Sequence, residues 1–388
     1  MKPSDDFSFY LRPIDGELAE RCIKLRGDQP YSPIAIHTHG AFPETEGADA
    51  VIIGIDNRLG DEGPCGADEI RRQLYALHLP ESDLKIVDLG NIIRGEREND
   101  THTALRNVIS GLALHRTTAV ILGGGQELTH AVYAAYEVLE TSVNLAVIDA
   151  SLDMGEFREA LSANNYLSKI VIHKPSYLFN LSVLGCQKYF NDPETMLLMD
   201  KLYFDVLRLG EIRDEPKSTE PLLRQADILS IDLEGIKNAD APGSYQPNGL
   251  TGEEVCRMAR YAGLGDRCSC VGIFNHFPER DPHGQTALLC AQIVWHIFEG
   301  LAQRVREYPL MNRADFLEYR VQMAAGGEHI TFFKSKKTDK WWMNVPYTAG
   351  ETGRKVRHHL IPCNYSDYET AATGEVPDLW WRTYRKLT

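Results

Sequence analysis

The sequence has no run of about 18 apolar residues, the length a membrane-spanning helix requires. Its opening, MKPSDDFSFYLRP, lacks the apolar segment of a secretory signal. Basic residues are in short supply: 41 Lys and Arg stand against 55 Asp and Glu, for a formal charge of -14. A surface of that sign repels duplex nucleic acid and anionic lipid, so neither is an expected partner. The eight cysteines include no C-x-x-C pair, which removes the usual signs of a disulfide framework or a zinc ribbon. Cys268-Ser-Cys270 is the one close pair. Strand alternation would set both sulfurs on one face, but two thiols make a poor zinc site, and small half-buried residues are the simpler reading. Nor does a dinucleotide fingerprint appear, because Gly54, Gly60, Gly63 and Gly66 have the spacing of a long loop rather than of G-x-G-x-x-G. No internal repeat or low-complexity tract occurs. These absences predict a soluble, cytoplasmic protein that binds an unknown protein or a small-molecule ligand, and they leave room for a homo-oligomer.

What the sequence does contain is a series of apolar runs that stop at acidic or polar residues. The clearest is LAVIDASLD, residues 145–153, where Asp149 and Asp153 end a run fit for a parallel strand covered on both faces. In open α/β sheets, ligands gather outside the carboxyl ends of such strands. AVILGGGQ (119–126) and ILSIDLE (228–234) repeat the pattern, so three strand ends define a candidate pocket. The glycines before Gln126 open a helix, a ready anion site if they are not simply what a tight turn needs. Further strands are predicted over 50–56, 84–90, 169–173 and 268–274. Helices are predicted over 67–77, 101–115, 126–139, 156–164, 192–210, 252–262 and 286–305. Alternation of this kind predicts a mostly parallel, doubly wound sheet. Residues 1–49, with an amphipathic stretch at 17–25, form a lead-in, and 50–308 form the α/β domain. Residues 309–388 form an aromatic-rich, β-rich extension with a hairpin over 330–345 and a terminal helix. In it Trp341, Trp342, Trp380 and Trp381 seal the extension onto the main domain or make a binding platform, the first being the simpler reading. His37 and His39 read as loop sequence.

At the three strand ends the motifs GGGQE (123–127), DASLD (149–153) and SIDLEGIKNADAPG (230–243) resemble those of the ureohydrolases, the arginase, agmatinase and formimidoylglutamase superfamily. That family carries G-G-D-H-S, D-A-H-x-D and S-x-D-x-D-x-x-D-P before A-P-G. Supporting matches are Gly63-Pro64 before Ile70-Arg71, Asp88-Leu-Gly90, Gly249-Leu250-Thr251 with Glu254, and Pro278 with Asp281, Thr286 and Ala287. The resemblance covers roughly residues 50–305. It implies a three-layer α/β/α sheet and a centre of two Mn²⁺ ions activating a water for attack on a guanidinium or amidine carbon. The implied ligand set departs from the family pattern. Gln126 and Ser151 stand in place of the two imidazoles, Asp149, Asp153 and Asp232 are kept, and the last Asp is Glu234. No His lies in 162–170, where a proton shuttle is expected, and Asn275 replaces the acidic residue of E-x-N-P. Lys237 and Asn238 replace Asp-Pro. Ser151, Lys237, Asn275 and His130 complete the pocket candidates.

An amide or hydroxyl oxygen is a weaker ligand than imidazole for Mn²⁺, so the leading expectation is a pseudoenzyme, a binding or scaffold protein with no cofactor. The alternative is a formimidoylglutamase-like, metal-dependent hydrolase of a guanidino or formimidoyl substrate, with Mn²⁺ or Mg²⁺ at an oxygen-rich site. Gln126, Asp149, Asp153, Asp232 and Glu234 are expected to converge. Carboxylates so gathered need a compensating charge, either a hard cation or an internal one. Lys237 is the candidate for the second, set against the commoner solvated loop lysine.

Overall fold

The computed structural model describes residues 7–20, 34–56, 65–80, 82–95, 97–115, 117–323, 329–349 and 355–388. The glycine loop through Gly60, the Gly63-Pro64 match, Cys22 and residues 21–25 of the amphipathic stretch lie outside them. Residues 17–20 of that stretch are helical.

A ten-stranded sheet forms the centre. It begins with β1 (Leu11–Arg12), β2 (Ile34–Ile36), β3 (Ala50–Ile55), β4 (Ile86–Ile92) and β5 (Thr118–Leu122). It continues with β6 (Val143–Ile148), β7 (Leu178–Cys186), β8 (Asp205–Arg208), β9 (Ile228–Asp232) and β10 (Cys270–Phe274). The strand order is β1-β4-β3-β5-β10-β9-β6-β7-β8, with β2 also on β4. Every pairing is parallel except β1 with β4. The chain winds to β5 from one side, crosses to β6, continues outward to β8, and returns to fill the gap with β9 and β10. That reversal of winding opens a crevice at the carboxyl ends of the four central strands.

Alternation sorts the side chains to two cores. Ala50 and Ile52 of β3 join one, and Val51, Ile53 and Ile55 the other. Helices α1 (Gly66–Leu74), α7 (Thr219–Gln225), α8 (Gly252–Leu264) and α9 (Gln285–Ala302) contribute to the first. Helices α2 (Glu98–Leu114), α3 (Leu128–Val138) and α4 (Tyr166–Ile172) contribute to the second. The result is the three-layer α/β/α arrangement expected of the resemblance. Fully buried Arg71 ties α1 to β4: its guanidinium meets both oxygens of Asp88 at 2.8 and 2.9 Å, Asp68 at 2.9 Å, Asn91 at 2.6 Å and the carbonyl of Gly90 at 2.8 Å. Such a buried charge is tolerable only because every side of it is paired.

Three predicted elements differ. Residues 169–172 belong to helix α4, which His173 ends, and not to a strand; Tyr166, Leu167 and Ile170 bury one helical face, and seven residues are too few to display that period against a β-branched run. Residues 156–164 form turns rather than a helix. The predicted helix over 192–210 is α5 (Pro193–Lys201), strand β8 and then α6 (Leu209–Asp214). It starts under an Asp192 cap on the Glu194 N–H and ends before Tyr203, whose φ is 58°. Strand β7 was not foreseen.

The extension is a four-stranded antiparallel sheet, β11 (Phe316–Gln322), β12 (His329–Ser335), β13 (Trp341–Ala349) and β14 (Lys355–Cys363), followed by α10 (Tyr365–Ala372) and α11 (Asp378–Leu387). The predicted hairpin is its β12–β13 pair. Trp341 and Trp342 are buried in separate clusters and Trp380 donates to the Asn344 carbonyl at 2.9 Å, so these three seal the sheet, while Trp381 is half-exposed beside Tyr384 and Arg385. Buried Arg224 of α7 joins the two parts, donating to the Trp341 carbonyl at 2.9 Å and stacking over the Trp342 ring at 4.5 Å.

Among the described residues no helix is long and apolar enough to cross a membrane. Cys268 and Cys270 are both fully buried free thiols.

Candidate metal centre at the strand ends

Four adjacent strands each deliver one residue to the crevice: β5 leads to Gln126, β10 to Asn275, β9 to Asp232 and β6 to Asp149. After β5 the chain turns through Gly123 and Gly124, both left-handed with φ of 79° and 80°. A Cβ on Gly124 would stand 2.4 Å from the Leu128 side chain, so the glycines serve the tight turn, which accounts for them without an anion. After β6 the chain bends at Asp153, left-handed at φ 44°, and after β10 at Asn275, left-handed at φ 66°. Non-glycine residues hold that conformation at a cost, and such strain gathers at functional sites.

Asp149, Asp153 and Asp232 each present an oxygen, and these oxygens lie within 4.8 Å of one another. The Gln126 amide, wholly buried, reaches into the same space. One end of it is 2.8 Å from Asp232 Oδ2, 3.0 Å from Asp149 Oδ2 and 3.2 Å from Asp153 Oδ2, and the other end is 3.0 Å from the Tyr166 hydroxyl. Hydrogen bonds hold the outer oxygens: the Ser151 N–H donates to Asp149 Oδ1 at 2.9 Å and the Glu234 N–H to Asp232 Oδ1 at 2.7 Å. Asn275 Nδ2 donates to Asp232 Oδ2 at 2.9 Å.

Burial raises all three carboxyls. Asp149 is held well above the carboxylate range, first by burial and then by the charges of Asp232 and Asp153. Burial raises Asp153 as well. It pushes Asp232 up to about 7, against the hydrogen bonds from Glu234 and Asn275 that favour its ionised form. Three carboxyls in one buried space therefore hold protons or share a cation. All the converging donors are oxygens of carboxylates and an amide, the set suited to Mg²⁺, Ca²⁺ or Mn²⁺, and so the residues fit a hard divalent cation.

Glu234 does not complete the cluster. Its side chain is 47% exposed and lies 4.0 Å from Arg280, because the short turn after β9 directs it outward. Ser151 Oγ accepts from the Asp153 N–H at 3.3 Å. Lys237 pairs with Asp240 at 3.3 Å, partly exposed, and is not an internal cation for the cluster. His130 lines a separate pocket of about 340 Å³ beside His102, Arg106 and Lys169. Its pKa is pushed down to about 4 by burial and then by neighbouring positive groups. Sequence reasoning missed Tyr166, whose hydroxyl meets the Gln126 amide at 3.0 Å. The signal available was its place in 162–170, where a proton-carrying side chain was sought and only imidazole was considered.

Fold and site define an α/β protein with a carboxylate cluster at the switch point of a doubly wound sheet. Residues 48–299 match the model of the arginase family, and the chain belongs to that family. It is 24% identical over 278 residues to a formimidoylglutamase of Vibrio cholerae, covering 65% of this chain and 82% of that protein. It is likewise 24% identical over 264 residues to one from Lysinibacillus sphaericus, covering 64% and 81%. Among solved structures, a Trypanosoma cruzi formiminoglutamase with Mn²⁺ superposes with a TM-score of 0.58 at 17% identity, covering 66% of this chain and 95% of that one. A proclavaminate amidino hydrolase of Streptomyces clavuligerus does so with 0.57 at 19%, covering 68% and 95%. At these identities the structural likeness is one of fold.

Proposed function

We propose that the protein is a cation-dependent hydrolase of a C–N bond in a linear amidine, a formimidoyl or guanidino compound. The observation that carries this reading is the convergence of Asp149, Asp153 and Asp232 with the Gln126 amide in one buried space. The expectation of a pseudoenzyme rests on the joint loss of two imidazoles, a shuttling His and the acidic substrate anchor, whereas Asp149, Asp153 and Asp232, which would hold a cation, converge. Manganese or magnesium is the proposed cofactor, held by these four side chains; when bound it would lower the pKa of a water ligand and so supply a nucleophile near neutral pH.

The remaining chemistry belongs to the chain. Asn275 and the Glu234 N–H keep Asp232 oriented toward the cluster. Glu234 itself, half-exposed beside the cluster, is placed to accept N–H bonds from a cationic amidinium group. That role replaces the acidic anchor lost at Asn275, which is occupied with Asp232. A negative cluster in a protein of charge -14 also attracts such a substrate. The proposed setting is the cytoplasm, where the seven described cysteines, all buried and unpaired, would remain thiols.

The test is release of formamide from formimidoylglutamate, and of urea from arginine and agmatine, with added Mn²⁺ or with chelator. Turnover that needs the cation and disappears in Asp232→Ala supports the reading. A protein that holds Mn²⁺ and turns over none of the three contradicts it and restores the binding-protein alternative.

A further inference from the structure

Gln126 occupies the place where the resemblance sets an imidazole, and an amide has two unlike ends. With nitrogen inward, its N–H groups face Asp149, Asp153 and Asp232, and its oxygen accepts from the Tyr166 hydroxyl. With oxygen inward, four oxygens close on one point. Those of the three aspartates then lie 2.8 to 3.2 Å from Gln126 Oε1. Metal–oxygen distances of 2.0–2.1 Å at right angles separate neighbouring ligand oxygens by roughly 3.0 Å, so these are the edges of a coordination shell.

The group behind the amide accepts either orientation. The outer end of the amide meets the Tyr166 hydroxyl at 3.0 Å, and a hydroxyl both donates and accepts. Tyr166 meets the amide oxygen as a donor or the amide nitrogen as an acceptor without moving.

Among the described residues, a second cation has no comparable set of ligands. Ser151 Oγ is turned to the Asp153 N–H and Glu234 is turned toward Arg280. We infer that the cluster holds a single divalent cation and that Gln126 reverses its amide when the cation enters, nitrogen inward without it and oxygen inward with it. Resting on the hydrolase reading above, this deepens it: one cation leaves the three carboxylates with a single net negative charge, which the amidinium of the proposed substrate would match.

The experiment is calorimetric titration of the full chain with MnCl₂ after chelator removal, with electron paramagnetic resonance of the loaded protein. One Mn²⁺ per chain with the spectrum of an isolated ion is expected. Gln126→Met, similar in size with no donor oxygen, should weaken Mn²⁺ about tenfold or more, the lower end of what loss of a partner to a metal ligand costs. Ser151→His combined with Glu234→Asp should admit a second ion and give an exchange-coupled spectrum. Two ions in the unaltered protein overturn the single-cation inference while the hydrolase reading stands; no ion overturns both. Reversal is read in ¹⁵N-glutamine-labelled protein saturated with diamagnetic Mg²⁺, with Gln126→His identifying the signal by its loss. The side-chain N–H pair should lie downfield without the cation and move upfield with it, and a pair that stays downfield in the saturated protein overturns the reversal.

Discussion

Without a cation in the cluster, stability should depend on pH in a direction opposite to that of ordinary carboxylates. Asp232 has its carboxyl raised to about 7 from an ordinary value of 3.8, mainly by burial. A raised carboxyl holds its proton more tightly folded than unfolded, so its contribution is complete below the unfolded value and is lost as pH rises through the folded one. At 1.36 kcal/mol per unit the whole effect is about 4 kcal/mol, of which roughly 2.5 kcal/mol falls between pH 5 and 8. Asp149 and Asp153 are shifted the same way and add to it. Asp232→Asn cannot ionise, and its loss as a charged neighbour also relaxes Asp149. The assay is urea unfolding in chelator at pH 5, 6, 7 and 8. The unaltered protein should lose roughly 2.5 kcal/mol or more relative to Asp232→Asn over that range, and saturating Mn²⁺ should restore it. Parallel stability curves for the two proteins would refute the argument that burial raises these carboxyls.

Gly124→Ala places a Cβ 2.4 Å from Leu128 at a φ of 80°; a loss of about 1–3 kcal/mol in urea unfolding is expected from strain of this kind. Arg71→Ala leaves Asp88 buried without its cation, and about 3–5 kcal/mol should be lost, as when one partner of a buried ion pair is removed. Arg224→Met keeps the bulk but frees the Trp341 carbonyl and the Trp342 ring. Limited proteolysis should then cut the extension faster while the strand-end cluster keeps its Mn²⁺ affinity.

The strands that carry the cluster were legible in the sequence because each is a buried parallel strand, mostly apolar and running into polar residues at its carboxyl end. Leu145–Ile148 before Asp149 and Ile228–Leu229 before Asp232 are examples in which pattern and burial agree. Order within the sheet is a different matter. That β9 and β10 fill the gap between β5 and β6 depends on long-range pairing, which no local pattern records; the repeated apolar runs mark the ends of β5, β6 and β9 as one candidate pocket, and the resemblance adds Asn275 after β10. Glu234 is expected inside because the matched motifs set it with Asp232 at the carboxyl end of a parallel strand. A continuing strand would point both the same way, but the chain leaves the strand at Asp232 for a short 3-10 turn. Tyr166 goes unmarked because the resemblance points only to a His in 162–170, and Tyr166 falls between the predicted helix over 156–164 and the predicted strand over 169–173. Asn275 was read as a lost substrate anchor, and its amide instead orients Asp232, a role set by a backbone of φ 66° that sequence does not reveal.

Anomalous X-ray scattering at the manganese edge, from crystals grown with Mn²⁺, tests most directly whether the strand-end cluster holds a cation. The account predicts one anomalous peak per chain, bounded by Gln126 Oε1 and carboxylate oxygens of Asp149, Asp153 and Asp232. No peak there, with manganese present in the crystal at full concentration, would contradict it.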